Sequence, residues 1–220
     1  MRRTLLPLLL FLLPGCGRKA EVPPSPRAAG PVDTRTVAFL GDSLTAGLGL
    51  PESQAYPALV QARLRAEGLP WTVVNAGVSG DTTAGGLARL DWLYRRRIDV
   101  LVVALGANDG LRGLPLKETE ANLRAILRRG RKEGSRLVLA GMQMPENLGP
   151  EYRRGFEGLF PRVAKEEGAQ LIPFLLAGVA MDPALNQPDG IHPNAEGARR
   201  VAATVWTILE PELKKPTPGK

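Results

Sequence analysis

Apolar residues recur along this chain in two different rhythms. Five short runs, Val37–Leu40, Thr72–Asn75, Val100–Leu105, Leu137–Ala140 and Leu171–Phe174, are mostly apolar and rich in β-branched residues. Runs of this kind suit strands covered on both faces, as in a parallel sheet. Between and after them lie stretches with helical spacing: Tyr56–Glu67, Thr83–Arg95, Leu116–Glu133, Glu151–Glu167 and Ala195–Leu209. In the third stretch Leu116, Leu123, Ile126 and Leu127 fall on one face, while Lys117, Glu118, Glu120 and Arg124 turn to water. Alternation of strand and helix predicts an α/β domain over residues 35–213, a three-layer α/β/α sandwich around a five-stranded, mostly parallel sheet.

The segments outside that domain have a different character. Residues 1–15 carry Arg2 and Arg3, an apolar run from Leu5 to Leu13, and then small residues, the pattern of an export signal. The apolar run falls well short of the roughly 20 residues that span a bilayer as a helix. It ends in Leu13-Pro14-Gly15-Cys16, which resembles the bacterial lipoprotein signal, with Pro14 an unusual filler and Cys16 the expected lipidation site. A general secretory signal with an incidental cysteine is the other reading. Residues 16–34 hold Pro23, Pro24, Pro26 and Pro31 without apolar periodicity, so a semi-extended linker is expected. Residues 214–220 are expected to form a flexible tail. The chain is therefore expected in the bacterial cell envelope, held to a membrane by acyl chains on its N-terminus.

Composition narrows the chemistry. At 220 residues, 44% hydrophobic and 23% charged, the chain suits one globular domain. The formal net charge of +7 invites a nucleic-acid reading, but its placement argues otherwise. Arg95, Arg96 and Arg97 close one helical stretch, and Arg128, Arg129, Arg131 and Lys132 close another, where cations complement the helix dipole. No aromatic residues interleave with them as a single-strand binder requires. No nucleic-acid partner is expected, and a monomer is. With one cysteine and one histidine in the chain, neither an intramolecular disulfide nor a zinc site of the usual ligand set can be assembled, so no metal and no cofactor is expected.

In an open parallel sheet the functional residues gather beyond the carboxyl ends of the strands. Four polar blocks stand in such positions: Gly41-Asp42-Ser43-Leu44, Asn75-Ala76-Gly77-Val78-Ser79-Gly80-Asp81-Thr82, Gly106-Ala107-Asn108-Asp109, and Asp189-Gly190-Ile191-His192-Pro193 before the last helix. Singly, each has a structural explanation as a turn, a helix cap or a glycine needed for backbone shape. Jointly they supply what ester cleavage needs: a nucleophile, a base that titrates near neutrality, a group to orient it, and donors for an oxyanion. Ser43 at a strand-to-helix turn is the candidate nucleophile, His192 its base, and Asp189, three residues upstream, the orienting carboxylate. The Ser43 N–H, a glycine N–H of the second block and the Asn108 amide are the candidate oxyanion donors. Ser79 is set aside, because Asp81 stands where a nucleophile elbow needs its last glycine.

These blocks resemble the GDSL, or SGNH, hydrolase family, named for the Ser, Gly, Asn and His that Ser43, Gly80, Asn108 and His192 match. Gly80-Asp81-Thr82, Gly86-Leu87-Ala88-Arg89-Leu90, Asn108-Asp109-Gly110-Leu111-Arg112-Gly113 and Asp189-Gly190-Ile191-His192-Pro193 look like its bacterial thioesterase/lysophospholipase/arylesterase branch. The similarity runs from about Val37 to Leu209. It implies a flavodoxin-like fold, metal-independent catalysis, a Ser-His-Asp triad and hydrolysis of acyl esters, and it selects Gly80 over Gly77. An apolar acyl site lined by the loop Leu111–Leu116 is a further expectation. A membrane tether would put cytosolic acyl-CoA out of reach and favour lysophospholipids or other acyl esters as substrate. Two alternatives remain at this point: a carbohydrate O-acetyl esterase on the same fold, and a non-catalytic envelope lipoprotein.

Overall fold

The computed structural model describes residues 35–144 and 148–216. The expected export signal, Cys16, the linker up to residue 34 and residues 217–220 of the tail lie outside the described residues. Five strands, β1 Arg35–Gly41, β2 Trp71–Gly77, β3 Val100–Ala104, β4 Arg136–Ala140 and β5 Gln170–Ile172, form one sheet in the order β2-β1-β3-β4-β5. All neighbouring pairs are parallel. Every residue of the central β3 is buried, which accounts for its uninterrupted apolar sequence.

The helices are α1 Ser43–Ala46, α2 Tyr56–Ala66, α3 Thr83–Ala88, α4 Leu90–Leu93, α5 Ala107–Leu111, α6 Leu116–Lys132, α7 Pro150–Glu166 and α8 Ala195–Lys214. Helix α2 packs with α8, and α6 packs with α3 and α7, giving the two helical layers that cover the sheet. The expected face of α6 is the buried one: Leu123, Ile126 and Leu127 are fully inaccessible, and Leu116 packs against the core. Three of the four cations at its end are paired, Arg128 and Arg131 with the buried Glu167, Arg129 with Asp91 and Glu133.

The departures from expectation have local causes. Strand β3 stops at Ala104, because Gly106 takes a left-handed conformation and turns the chain into α5. Strand β5 ends at Ile172 rather than Phe174, since Pro173 has no N–H for the ladder. The stretch from Thr83 breaks at Arg89 into α3 and α4. Adjacent Gly85 and Gly86 weaken the helix there, and the Arg89 guanidinium is drawn to Asp81 (2.7 Å) and to the Gly41 carbonyl (3.0 Å). Helix α8 continues through Pro211 to Lys214, anchored by the buried Leu213.

Candidate active site

The strand order reverses at β1, whose two neighbours are β2 and β3, and the crevice beyond the carboxyl ends of β1 and β3 is where such sheets bind ligands. At the end of β1, Asp42 caps α1 by accepting the Leu44 N–H at 3.0 Å. That cap fixes Ser43 as the first helical residue, with its side chain at the mouth of the crevice. Ser43 Oγ lies 2.8 Å from His192 Nε2, and His192 Nδ1 lies 2.7 Å from Asp189 Oδ2. Asp189 Oδ1 also accepts the backbone N–H groups of Ile191 (2.9 Å) and His192 (3.0 Å), so one carboxylate closes the turn and aligns the ring. Those same bonds hold the Asp189 carboxyl down at about 2, ionised at any pH of interest. With Asp189 fixed as acceptor, Nδ1–H donates to it and Nε2 is left to accept the Ser43 hydroxyl proton. The turn is tied to the first loop by Gln187, whose amide donates to the Leu48 carbonyl (2.7 Å) and to that of Pro193 (3.0 Å).

The second and third blocks meet on the other side of Ser43. Asn108 Nδ2 donates to the Asp81 carbonyl at 3.0 Å and reaches Asp42 Oδ2 at 3.4 Å. Gly80 has φ +80°, a conformation that favours glycine, and its carbonyl accepts from Arg112 at 2.9 Å. The N–H groups of Ser43 and Gly80 have no acceptor among the described residues. Gly77 differs: its N–H donates to Asn75 Oδ1 at 3.0 Å, and a Cβ there would stand 2.2 Å from the Ala46 nitrogen. Gly77 is required for close packing of β2 on α1, and its donor is already engaged. The imidazole is bonded through its two nitrogens to Ser43 and Asp189, and among the described residues Ser79 makes no hydrogen bond to it.

An apolar cleft of about 370 Å³ opens beside this cluster, lined among others by Leu44, Leu111, Met142, Met144, Phe174 and Ile191. That volume is within the range of small-molecule sites, about 300–1,000 Å³. Leu44 and Ile191 are the chain neighbours of Ser43 and His192, and Leu44 also lines a small pocket that Ser43 and His192 share, so the cleft lies next to the candidate pair. Of the loop expected to line it, Leu111–Leu116, only Leu111 does so. Leu114 is turned away, its carbonyl held by the Tyr152 hydroxyl at 2.8 Å and its N–H by the Asp109 carbonyl at 2.9 Å.

Three polar residues to which the sequence blocks assigned no part in the chemistry support the site. Asp109 is buried and accepts from Thr83 N (2.9 Å), Thr83 Oγ1 (2.5 Å) and Thr119 Oγ1 (3.3 Å), locking α5 against α3 and α6. Arg112 pins Gly80. Asp42 was legible as a helix cap, and in the structure that cap and the candidate site are one feature. Burial pushes the Asp42 carboxyl up to about 6 from an ordinary 3.8. The folded state therefore binds that proton more tightly than the unfolded chain does. The resulting stability is fully present below about pH 4 and is lost as pH rises through about 6, a difference of about 2 to 3 kcal/mol. Asp42→Asn keeps a capping oxygen and cannot titrate. The gain in Tm on going from about pH 7.5 to about pH 5 should be several degrees larger for the native chain than for this variant. Equal gains would show that Asp42 does not titrate in this range.

A sequence model of the GDSL-like Lipase/Acylhydrolase family matches residues 39–200. The chain belongs to that family. It is a carboxylic ester hydrolase. The GDSL relatives include the esterase TesA of Pseudomonas aeruginosa, 44% identical over 180 residues that cover 81% of this chain and 90% of the relative. A thioesterase 1/protease 1/lysophospholipase L1 of Escherichia coli is 38% identical over 177 residues, covering 80% of this chain and 84% of the relative. Among solved structures, the psychrotrophic esterase EstA from Pseudoalteromonas, inhibited by monoethylphosphonate, superimposes with a TM-score of 0.79 at 31% identity, covering 82% of this chain and all of that one. In the GDSL motif of this chain, Gly41 ends β1, Asp42 is the cap, Ser43 opens α1 and Leu44 begins the cleft wall.

Proposed function

We propose that this GDSL enzyme hydrolyses acyl esters through an acyl-enzyme on Ser43, with His192 as general base and Asp189 as the carboxylate that orients it. The observation that carries the reading is the unbroken hydrogen-bond chain from Ser43 Oγ to His192 to Asp189, at 2.8 and 2.7 Å. As Oγ attacks the ester carbonyl carbon, its proton passes to Nε2 and the carbonyl oxygen becomes an oxyanion. The N–H groups of Ser43 and Gly80, which have no acceptor among the described residues, support a role as oxyanion donors, and the Asn108 amide joins them by exchanging its long 3.4 Å contact with Asp42 for the oxyanion. Collapse breaks the ester C–O bond, and Nε2 returns the proton to the departing alkoxide. Water, deprotonated by the same nitrogen, then attacks the Ser43 ester, releasing the carboxylic acid and restoring the hydroxyl.

The apolar lining of the cleft favours substrates with an acyl chain longer than acetyl, such as aryl esters, lysophospholipids and thioesters of that kind, over O-acetylated carbohydrates. Along a series of p-nitrophenyl esters from acetyl to octanoyl, kcat/KM should rise by about tenfold or more, because each buried methylene contributes about 0.8 kcal/mol. A maximum at acetyl would favour the carbohydrate esterase reading instead. No metal or other cofactor takes part in this scheme. The lipoprotein-type signal supports an exported enzyme held at an envelope membrane by acyl chains on Cys16. The mass of the mature N-terminus tests that attachment, and an unmodified Cys16 would refute it.

A further inference from the structure

Large apolar side chains that stand exposed are not scattered over this domain. Seven are found among the described residues, and six of them, Leu48, Val78, Leu111, Leu148, Met181 and Ile191, lie at the carboxyl end of the sheet. Leu48, Val78, Leu111, Leu148 and Met181 come one each from the connections that follow β1, β2, β3, β4 and β5, and Ile191 comes from the turn that carries His192. The seventh, Trp92, lies in α4, ahead of β3, and has the Arg96 guanidinium over its ring. Leu111, Met181 and Ile191 also line the apolar cleft, and Leu48 lines a small pocket that Ser43 and His192 share. Met181 is 84% exposed and is the one non-glycine residue at positive φ among those described. A side chain rarely adopts that backbone conformation, and here it holds a thioether out in water.

We propose that this rim docks on a phospholipid surface, so that an acyl chain passes from the bilayer into the cleft beside Ser43 without crossing water. The inference rests on the esterase reading above and adds the surface from which the substrate is taken. Concentrated exposed apolar groups mark an interaction face, and the interfacial region of a bilayer accepts such groups. Three of the six, Leu111, Met181 and Ile191, stand in the cleft wall itself, so a protein seated on them would shut the site, whereas a lipid surface would supply it. The length of chain ahead of β1 permits the orientation. From Cys16 to Arg35 there are 19 residue steps, which extend to about 65 Å at most. A domain of this size has a radius of gyration of about 16 Å, so such a tether can pass from the amino ends of the strands to a surface facing their carboxyl ends.

The experiment uses the full chain and a Val78→Ser/Leu148→Ser variant, two rim positions that line neither the cleft nor the Ser43–His192 pair. Activity is compared on soluble p-nitrophenyl butyrate and on a long-chain p-nitrophenyl ester carried in phosphatidylcholine/phosphatidylglycerol vesicles. Both proteins keep the same N-terminal segment, so the difference between them reports the rim. The expected result is a drop of about tenfold in kcat/KM on vesicles, as apolar side chains are withheld from lipid, with soluble-ester activity unchanged within about twofold. Equal vesicle activity in the two proteins would overturn the proposal. Should the double variant lose soluble-ester activity as well, Val78→Ser and Leu148→Ser singly carry the same comparison, each expected to lose about threefold on vesicles only. Failure of the native chain on both esters would instead refute the esterase reading.

Discussion

Ser43→Ala is expected to lower kcat on a soluble aryl ester by a factor on the order of 10⁵, with KM changed by no more than about threefold. Substrate binding rests on the cleft walls, Leu44, Met142, Met144 and Phe174 among them, and none of these changes when the hydroxyl is removed. In the proposed mechanism, what disappears is the atom that forms the acyl bond. The residual rate expected under that mechanism is that of water attacking an ester whose oxyanion is still received by Gly80 and Asn108. On the usual scale of about 1.4 kcal/mol per decade, the loss corresponds to about 7 kcal/mol of transition-state stabilisation. The side chain is only partly buried and its Oγ bonds to the imidazole alone, so the fold should persist, with Tm unchanged within a few degrees. A variant that keeps more than about a hundredth of the native kcat would show that Ser43 is not the nucleophile.

His192→Ala should cost about as much, for a different reason. The chain has a single histidine, so no second imidazole can take over the proton. The serine hydroxyl remains in place but must lose its proton to solvent. The residual rate of this variant should therefore climb with pH in proportion to hydroxide over about pH 7 to 9, where the native enzyme should be flat. Because both residues act in one step, Ser43→Ala/His192→Ala should be no worse than either single variant, within a factor of about ten. Losses that multiply would mean the two side chains act independently, contrary to the 2.8 Å contact between them. Asp189 does not set the acid limb of the native profile, because its bonds to the His192 turn keep it ionised down to about pH 2.

The alternation of strands and helices was legible because the sheet is covered on both faces. Val100 to Ala104 read as a strand since every one of those side chains is buried. The site blocks were legible for a related reason: a parallel sheet places whatever follows its strands on one rim, and Ser43, Gly80 and Asn108 follow β1, β2 and β3. Other features depend on contacts distant in sequence. Helices α1 and α5 span 4 and 5 residues, too few to show a period. The break at Arg89 follows from its reach to Asp81 and Gly41, which no local pattern reveals. Met142 and Met144 come to the cleft from a segment after β4 that reads as a plain connection, and Phe174 from a position that reads as the end of a strand. The choice between Gly77 and Gly80 rests on structure as well as on family resemblance, since only Gly80 keeps an uncommitted N–H.

The most direct test of the central claim is reaction of the full chain with a serine-directed phosphonate, followed by peptide mass mapping. A related esterase is described as inhibited by monoethylphosphonate, so the reagent class fits this fold. The expected result is one phosphonate per chain, on Ser43, appearing in step with the loss of esterase activity and absent from Ser43→Ala. An adduct on Ser79 or elsewhere, or full inactivation with Ser43 unmodified, would contradict the assignment.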